Sequence, residues 1–331
     1  MEVIITKGIT IATFISNNEK DNEEIYDTIH FLEKNFDNTE VIIFSNSKIK
    51  DKTYRNIITP QMTKYKRIRI LLNEARFNDI ICFDNDIMID KENIIKFINN
   101  CFNKDYSIAW GKIKARKVKG FVPKLINIDK NLSHDYIRPF LWNTKIGISL
   151  PGQIFMINKQ YLINKLPDVD TVYDDLMIGA IVREQNMPVF FVKEVLGYEK
   201  PKETIVMLLK QRIRWAKGLA ETIIFNRKSK ALPYILIHAF FFNLLWIPIY
   251  ILIYSIFKVN ILCGILGILI ICHILAEYKV KDMLWAFMYM IVFPFIYVIW
   301  GMALLYNMIK VLYNIKSRWE EKRWIKILKD Y

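Results

Sequence analysis

The sequence predicts an α/β domain followed by a C-terminal α-helical membrane region, and three observations predict it. Strand-like and helix-like patterns alternate from residue 9 to about residue 200, the order expected of a sheet with helical crossovers. One strand-like run, Ile80-Ile81-Cys82-Phe83, leads straight into Asp84-Asn85-Asp86, and open α/β sheets bind ligands at such carboxyl ends. After residue 230, three runs, Leu232–Phe257, Val259–Ala276 and Met283–Ile309, contain no Asp, Glu, Lys or Arg. A spanning helix needs roughly 20 apolar residues. The first and third runs suffice, and the second, of 18 residues, is borderline. The expected organisation is a soluble-type domain over 1–230, two to three transmembrane helices over 231–313, and a basic tail over 314–331.

Taken in order, Ile9–Ile15 is a β-like run, Glu23–Lys34 has helical spacing through Ile25, Ile29 and Leu32, and Val41–Phe44 is a second strand ending in Ser45-Asn46-Ser47. A short run at Ile57 and Ile58 precedes a basic helix with Ile68, Leu71, Leu72 and Ala75 as its apolar stripe, and then the strand at Ile80. This succession predicts a parallel sheet. Lys91–Asn100 reads as a helix and Ile108–Trp110 as a short strand, whereas residues from about 111 to 149 have weak periodicity and read as a long loop or a peripheral helix. Gly152–Ile157 returns to strand character, with Gly152 available for close backbone approach. Residues 174–182 read as a helix, 189–192 as a strand, and Lys200 opens a helix through Trp215.

Composition narrows the function classes. A formal charge of +14 suits nucleic acid, an anionic membrane face or an anionic substrate. Position discriminates: from Lys310 the tail carries seven Lys or Arg against three acids, directly after an apolar run, which favours the anionic cytoplasmic leaflet over nucleic acid. A second basic run, Lys112, Lys114, Arg116, Lys117 and Lys119, reads equally as a solvated face or a substrate contact. Glu2 and Lys7 among short β-like runs do not resemble a signal peptide, so the domain is expected on the cytoplasmic side of a multi-pass plasma-membrane protein. Cys82, Cys101, Cys263 and Cys272 form no CxxC pair and give neither a zinc nor a disulfide signature. Two crossings would keep the tail cytoplasmic and three would not; residues 276–287 are the place for a further interfacial helix.

Three stretches carry chemistry. Asp84 and Asp86 are two apart and can project to one side of a strand end. Like charges held together want a cation, and Mg²⁺ takes one or two carboxylates plus substrate phosphates. The alternative is an acidic turn closing the strand. Asp174-Asp175 opens a predicted helix, where acids are also favoured by the helix dipole. Gln211, Arg214 and Trp215 share one helical face. Arg214 could grip a phosphate in a bidentate fork and Trp215 could stack a sugar ring, or the helix could lie on the bilayer.

Together and in this order, Asp84-Asn85-Asp86, Asp174-Asp175 and Gln211-Arg212-Ile213-Arg214-Trp215, followed by hydrophobic spans, resemble the membrane-integrated branch of glycosyltransferase family 2, which includes cellulose, chitin and hyaluronan synthases and ceramide glucosyltransferases. The resemblance implies a GT-A fold, the nucleotide-diphospho-sugar transferase domain, with a UDP-sugar donor, Mg²⁺ or Mn²⁺, and inversion at the anomeric carbon. It implies Asp86 as metal ligand, Asp84 on the nucleotide sugar and Asp175 as general base, with Asp174 standing where many relatives have Glu. Gln211 and Arg214 would hold the diphosphate, Trp215 and Gly152 would line the acceptor site, and Glu19 would lie near the uracil. The chain departs from the pattern at Ser45-Asn46-Ser47, where relatives carry a base-reading aspartate. The expected reaction is sugar transfer to a polysaccharide or glycan acceptor at the bilayer. The alternatives are one sugar added to a lipid acceptor of polyprenyl-phosphate or ceramide type, a haloacid dehalogenase-type phosphotransferase, and a non-catalytic membrane scaffold.

Overall fold

The computed structural model describes residues 7–15, 23–49, 53–169 and 171–329, with side chains described through Tyr313. Strands β1 (Ile9–Phe14), β2 (Thr39–Ser45), β3 (Arg55–Ile58) and β4 (Asp79–Asp84) pair in parallel, with helix α1 (Glu23–Asn35) crossing from β1 to β2 and α2 (Lys64–Glu74) from β3 to β4. β1 is buried along its whole length, because both faces of the sheet are covered. Ile9 and Ile11 pack with Ile25, Ile29 and Leu32 of α1, while Ala12 and Phe14 point the other way onto Tyr65, Ile68 and Leu71 of α2. Side-chain alternation along one strand thus feeds two cores.

The second half completes the sheet in a different sense. β5 (Ile87–Ile89), α3 (Lys91–Phe102) and β6 (Ile108–Ala115) are followed by α4 (Phe121–Asn131), a π-helical stretch Leu132–Ile137, and α5 (Arg138–Asn143). Then come β7 (Ile154–Asn158), the single turn α6 (Lys159–Leu162), α7 (Asp174–Glu184), β8 (Val189–Glu199) and α8 (Ile205–Phe225). The eight strands run in the order β3-β2-β1-β4-β7-β6-β8-β5. β7 is antiparallel to both β4 and β6, and β5 is antiparallel to β8, so the sheet is mixed rather than all parallel. The helical excursion through α4 and α5 delivers β7 from the opposite end of the sheet. Residues 111–149, read as a loop or one peripheral helix, are thus the end of β6 and a helical wall whose inner side chains Leu125, Ile126 and Ile128 are buried. Their partners are apolar residues distant in sequence, including Tyr289 and Phe293, so local periodicity was diluted by contacts on several sides.

The basic run of β6 is an ion-pair seam. Lys112 and Lys114 both pair with Asp135, Lys114 also with Glu277, and Arg116 with Glu24.

After α8 come α9 (Leu232–Ala239), a π-helical stretch Phe240–Leu244, α10 (Trp246–Val259), α11 (Ile261–Leu275) and α12 (Met283–Lys329). Among the described residues one helix, Val280–Tyr313 in its apolar part, is long and apolar enough to cross a membrane, and the pair Leu232–Leu244 and Trp246–Val259, bent by 51°, makes a second only if it is one broken span. Helix α11, with 15 residues, reaches only about 22 Å at 1.5 Å per residue, short of a core of about 30 Å. Residues 276–287 are not a separate interfacial helix. Glu277 and Tyr278 adopt left-handed φ of 51° and 63°, which ends α11 in a turn, and a 3₁₀ turn, Val280–Asp282, leads directly into α12.

Candidate active site

Four chain segments converge on one cavity of about 720 Å³ beside the carboxyl end of β4. Asp84 is the last residue of β4 and Asp86 sits exposed in the turn to β5, and both line the cavity. Asp174 and Asp175 form the first turn of α7 and line it as well. Gln211, Arg214 and Trp215 of α8 close a third side, and Gly152, just before β7, lies under Asp175. A Cβ on Gly152 would sit 3.4 Å from that of Asp175. Glu19 lies outside the described residues.

Two glycines let these segments meet. A Cβ on Gly179 of α7 would lie 1.6 Å from the carbonyl oxygen of Ile148, and one on Gly218 of α8 would lie 2.9 Å from Cβ of Tyr173. Any larger residue at Gly179 would drive α7, and its two acids, off the segment beneath it.

The acid pair is not a helix cap. Tyr173 is the N-cap and makes no side-chain cap bond. Asp175 Oδ1 accepts the backbone N–H of Leu176 at 2.9 Å, whereas Asp174 Oδ2 is buried without a hydrogen-bond partner. Burial and the neighbouring Asp174 charge push the Asp175 carboxyl up to about 7, against the pull of Arg138. A carboxylate that titrates near neutrality in a cleft suits proton transfer.

Lys64, at the start of α2, was missed in the sequence, where it read only as one residue of a basic helix. Its Nζ donates to Asp84 Oδ1 and to the carbonyl of Gly152, each at 2.5 Å, and lies 3.6 Å from Asp174 Oδ2. Burial works against its charge, but Asp84 and Asp174 outweigh burial and hold the ammonium protonated. Lys64 therefore ties the two acidic stretches together. The signal available was only its position as first helical residue before the strand that ends in Asp84.

Arg212, the unassigned arginine of the Gln211–Trp215 stretch, is the buried one. It pairs with Asp129 of α4 at 2.5 Å and lies 4.3 Å from the Trp215 ring centroid. Asp129 also accepts the hydroxyls of Tyr289 and Tyr297 of α12, both at 2.9 Å. One carboxylate thus joins α4, α8 and the long apolar helix behind Trp215. At the end of β2, Asn46 stands in the cavity and accepts Nη2 of buried Arg67 at 2.8 Å.

Among the described residues no group of three or more His, Cys, Asp or Glu could hold a metal by itself. A hard divalent cation needs only one or two carboxylates when substrate phosphates complete its shell. Asp86, exposed and lining the cavity beside Asp84, is a carboxylate of this kind, and the site fits an ion that enters with a diphosphate.

A family model described as glycosyl transferase family group 2 matches residues 80–313. Among solved structures, a mannosyltransferase from Pyrobaculum calidifontis, in complex with GDP-mannose and Mn²⁺, superposes with a TM-score of 0.54 at 13% identity, covering 90% of this chain and 87% of that one. A glucosyl-3-phosphoglycerate synthase from Mycobacterium tuberculosis, in complex with Mn²⁺, UDP and phosphoglyceric acid, gives a TM-score of 0.45 at 13% identity over 65% and 78% of the two chains. No curated protein matches. At such identities the first likeness speaks for the fold, an α/β mixed sheet of the GT-A kind.

Proposed function

Since the chain belongs to glycosyl transferase family group 2 and is a glycosyltransferase, we propose that it moves a sugar from a UDP-sugar, with inversion, onto the hydroxyl of a glycan acceptor at the plasma membrane, building a cell-surface polysaccharide or glycan. Family membership sets aside both the phosphotransferase and the scaffold alternatives. The supporting observation is the single cavity lined by Asp84, Asp86, Asp175, Gln211, Arg214 and Trp215, residues from three segments far apart in sequence.

In this reading Asp175 takes the proton of the attacking hydroxyl, a step worth about 10²- to 10⁴-fold. Gln211 and Arg214 hold the donor diphosphate, and Arg214 meets the negative charge that develops on it. Asp86 would hold Mg²⁺ or Mn²⁺, which when bound neutralises part of that charge. Lys64 keeps Asp84 in place to face the nucleotide sugar, and Trp215 offers the acceptor a stacking surface. The domain over 1–230 faces the cytoplasm, and the exposed apolar residues of α10 to α12, among them Ile251, Leu262, Phe295 and Leu305, face lipid. The second reading, one sugar added to a lipid acceptor, draws on the aromatic wall of Phe241, Phe242, Trp246 and Trp300.

Membranes carrying the protein, incubated with a panel of labelled UDP-sugars and Mg²⁺ or Mn²⁺, should transfer label, and chelation should stop the transfer. Product length separates polymer from single addition. Unchanged metal-dependent UDP binding by Asp86→Ala in calorimetry would refute the metal assignment.

A further inference from the structure

One side of the cavity forms a polar compartment whose residues have no part in the donor reading above. Two π-helical stretches wall it, Leu132–Ile137 after α4 and Phe240–Leu244 before α10, and they pack against each other. Such stretches recur at functional sites, where the widened turn redirects side chains. The first carries His134 and is followed at once by Arg138, the first residue of α5, and both residues line the cavity.

Arg138 Nε donates to Ser149 Oγ at 3.1 Å, its Nη1 meets His134 Nε2 at 2.8 Å, and its guanidinium lies over the Phe242 ring at 5.5 Å. These bonds use two of the five N–H groups a guanidinium offers. Among the described residues no carboxylate stands at ion-pair distance from it, unlike Arg212 and Lys64, which do have such partners. Asp175 is the carboxylate whose charge acts on it most strongly. His238 of α9 also lines the cavity; it is 3% exposed and its Nδ1 has no hydrogen-bond partner. Burial and the Arg138 charge keep His134 neutral, its imidazole held well below the usual range. A guanidinium with free N–H groups and a buried ring nitrogen without a partner together suit a phosphate group. The wall beyond them is apolar and belongs to the membrane-type helices: Phe241, Phe242, Trp246 and Trp300.

We propose that this compartment receives the phosphate of a lipid-carried acceptor sugar, with the phosphate on Arg138 and His238, the hydrocarbon along the aromatic wall, and the reacting hydroxyl at Asp175. The proposal rests on the glycosyltransfer reading above and adds the class of acceptor. The hydroxyl oxygen bonds to the anomeric carbon of the donor and its proton passes to Asp175. The anomeric carbon–oxygen bond to UDP breaks with its electron pair leaving on UDP, and the acceptor phosphate is unchanged.

The test uses full-length protein in lipid nanodiscs with a donor it turns over. Four acceptors are compared: a sugar linked through phosphate to an isoprenoid lipid, the same sugar glycosidically linked to the neutral isoprenol, the free sugar 1-phosphate, and a neutral oligosaccharide. The expected result is a preference of at least about tenfold for the phosphate-linked lipid over the other three, the scale of one charge-assisted contact pair. Arg138→Gln should raise KM for that acceptor about tenfold or more, with a lesser rise for Arg138→Lys and with UDP affinity by calorimetry held within about twofold. Direct binding of a short-chain isoprenyl phosphate, against the matching isoprenol, to the wild-type protein with UDP present gives a readout that needs no variant. Equal use of the neutral lipid or oligosaccharide overturns the phosphate site, and equal use of the free sugar phosphate overturns the lipid carrier. A loss of UDP affinity in Arg138→Gln matching the loss of acceptor affinity reassigns Arg138 to the donor and also overturns it. Absence of donor turnover with every acceptor, and with water, sinks the reading of function on which the inference stands.

Discussion

The two ends of the cavity are built differently. On the sheet side, charged groups hang from strand ends and helix starts: Asp84 from β4, Lys64 from α2, Asp174 and Asp175 from α7. Each sits where regular structure stops, and the pairings are short and mutual, as in the Lys64–Asp84 contact at 2.5 Å. On the helical side the polar groups Asp129, Arg212, Tyr289 and Tyr297 come from within helices, and they are joined by side chains that cross between α4, α8 and α12. The first end is a set of acids held under electrostatic tension and partly open to solvent, which suits chemistry. The second is a buried clamp, which suits fixing one element against another. Removing a group should therefore cost turnover at the first end and stability at the second.

The largest effect that tests this division is at Asp175. Asp175→Asn should retain UDP binding and lose about 10²- to 10⁴-fold in turnover, with the unfolding midpoint little changed. Normal turnover would remove the base assignment and with it the functional contrast. Next comes Asp129→Asn, which leaves Arg212 buried beside a neutral amide. Breaking a buried pair by removing one partner costs about 3–5 kcal/mol, so this variant should melt well below the wild type in detergent. A melt unchanged within error would show that the clamp is not structural.

A smaller effect separates the ends by pH. Asp175, pushed up to about 7 by burial and Asp174, can serve as the proposed base only when ionised. Transfer, as kcat/KM, should then fall about tenfold per pH unit below 7 and level off above it. Asp174→Asn removes a like charge and should move that inflection to lower pH. An inflection that stays in place would mean that Asp174 does not tune the base. The same shift has a stability sign. The folded form holds this proton more tightly than the unfolded chain, whose carboxyl titrates near 3.8, so the contribution is intact below about pH 4 and is lost as pH rises to 7.

The same difference explains what was legible in the sequence. The sheet side could be read because an apolar run ending in Asp84-Asn85-Asp86, and acids ahead of Leu176 and Ile178, are local patterns set by strand and helix periods. β1, β2, β4, α1 and α2 fall within a few residues of the expected bounds. Lys64 was present but unmarked, since nothing local distinguishes it from Lys66 or Arg69; only the fold brings it to Asp84. The helical side was illegible for a different reason. Residues 121–143 bury apolar groups against helices more than a hundred residues away, so no single face shows a clean stripe, and Asp129 looks like any surface acid until Arg212, Tyr289 and Tyr297 are placed around it. The mixed sheet had the same origin, because the direction of β7 is set by the path of the helical excursion before it and not by the residues of β7 itself.

The smallest prediction asks whether the clamp reaches the cavity or only stabilises. Tyr297→Phe deletes one of the three donors to Asp129 and leaves Arg212 and Tyr289 in place. The loss of one neutral hydrogen bond costs about 0.5–1.5 kcal/mol. If the clamp serves stability alone, the melt drops by that amount and KM for the acceptor stays put. If Arg212, stacked 4.3 Å from the Trp215 ring, transmits the change, KM for the acceptor rises while kcat and donor affinity hold. Trp215 shares its helix with the clamp and its ring with the cavity, so the second outcome is the one expected. A change in donor affinity instead would place α12 behind the donor end and dissolve the division between the two ends.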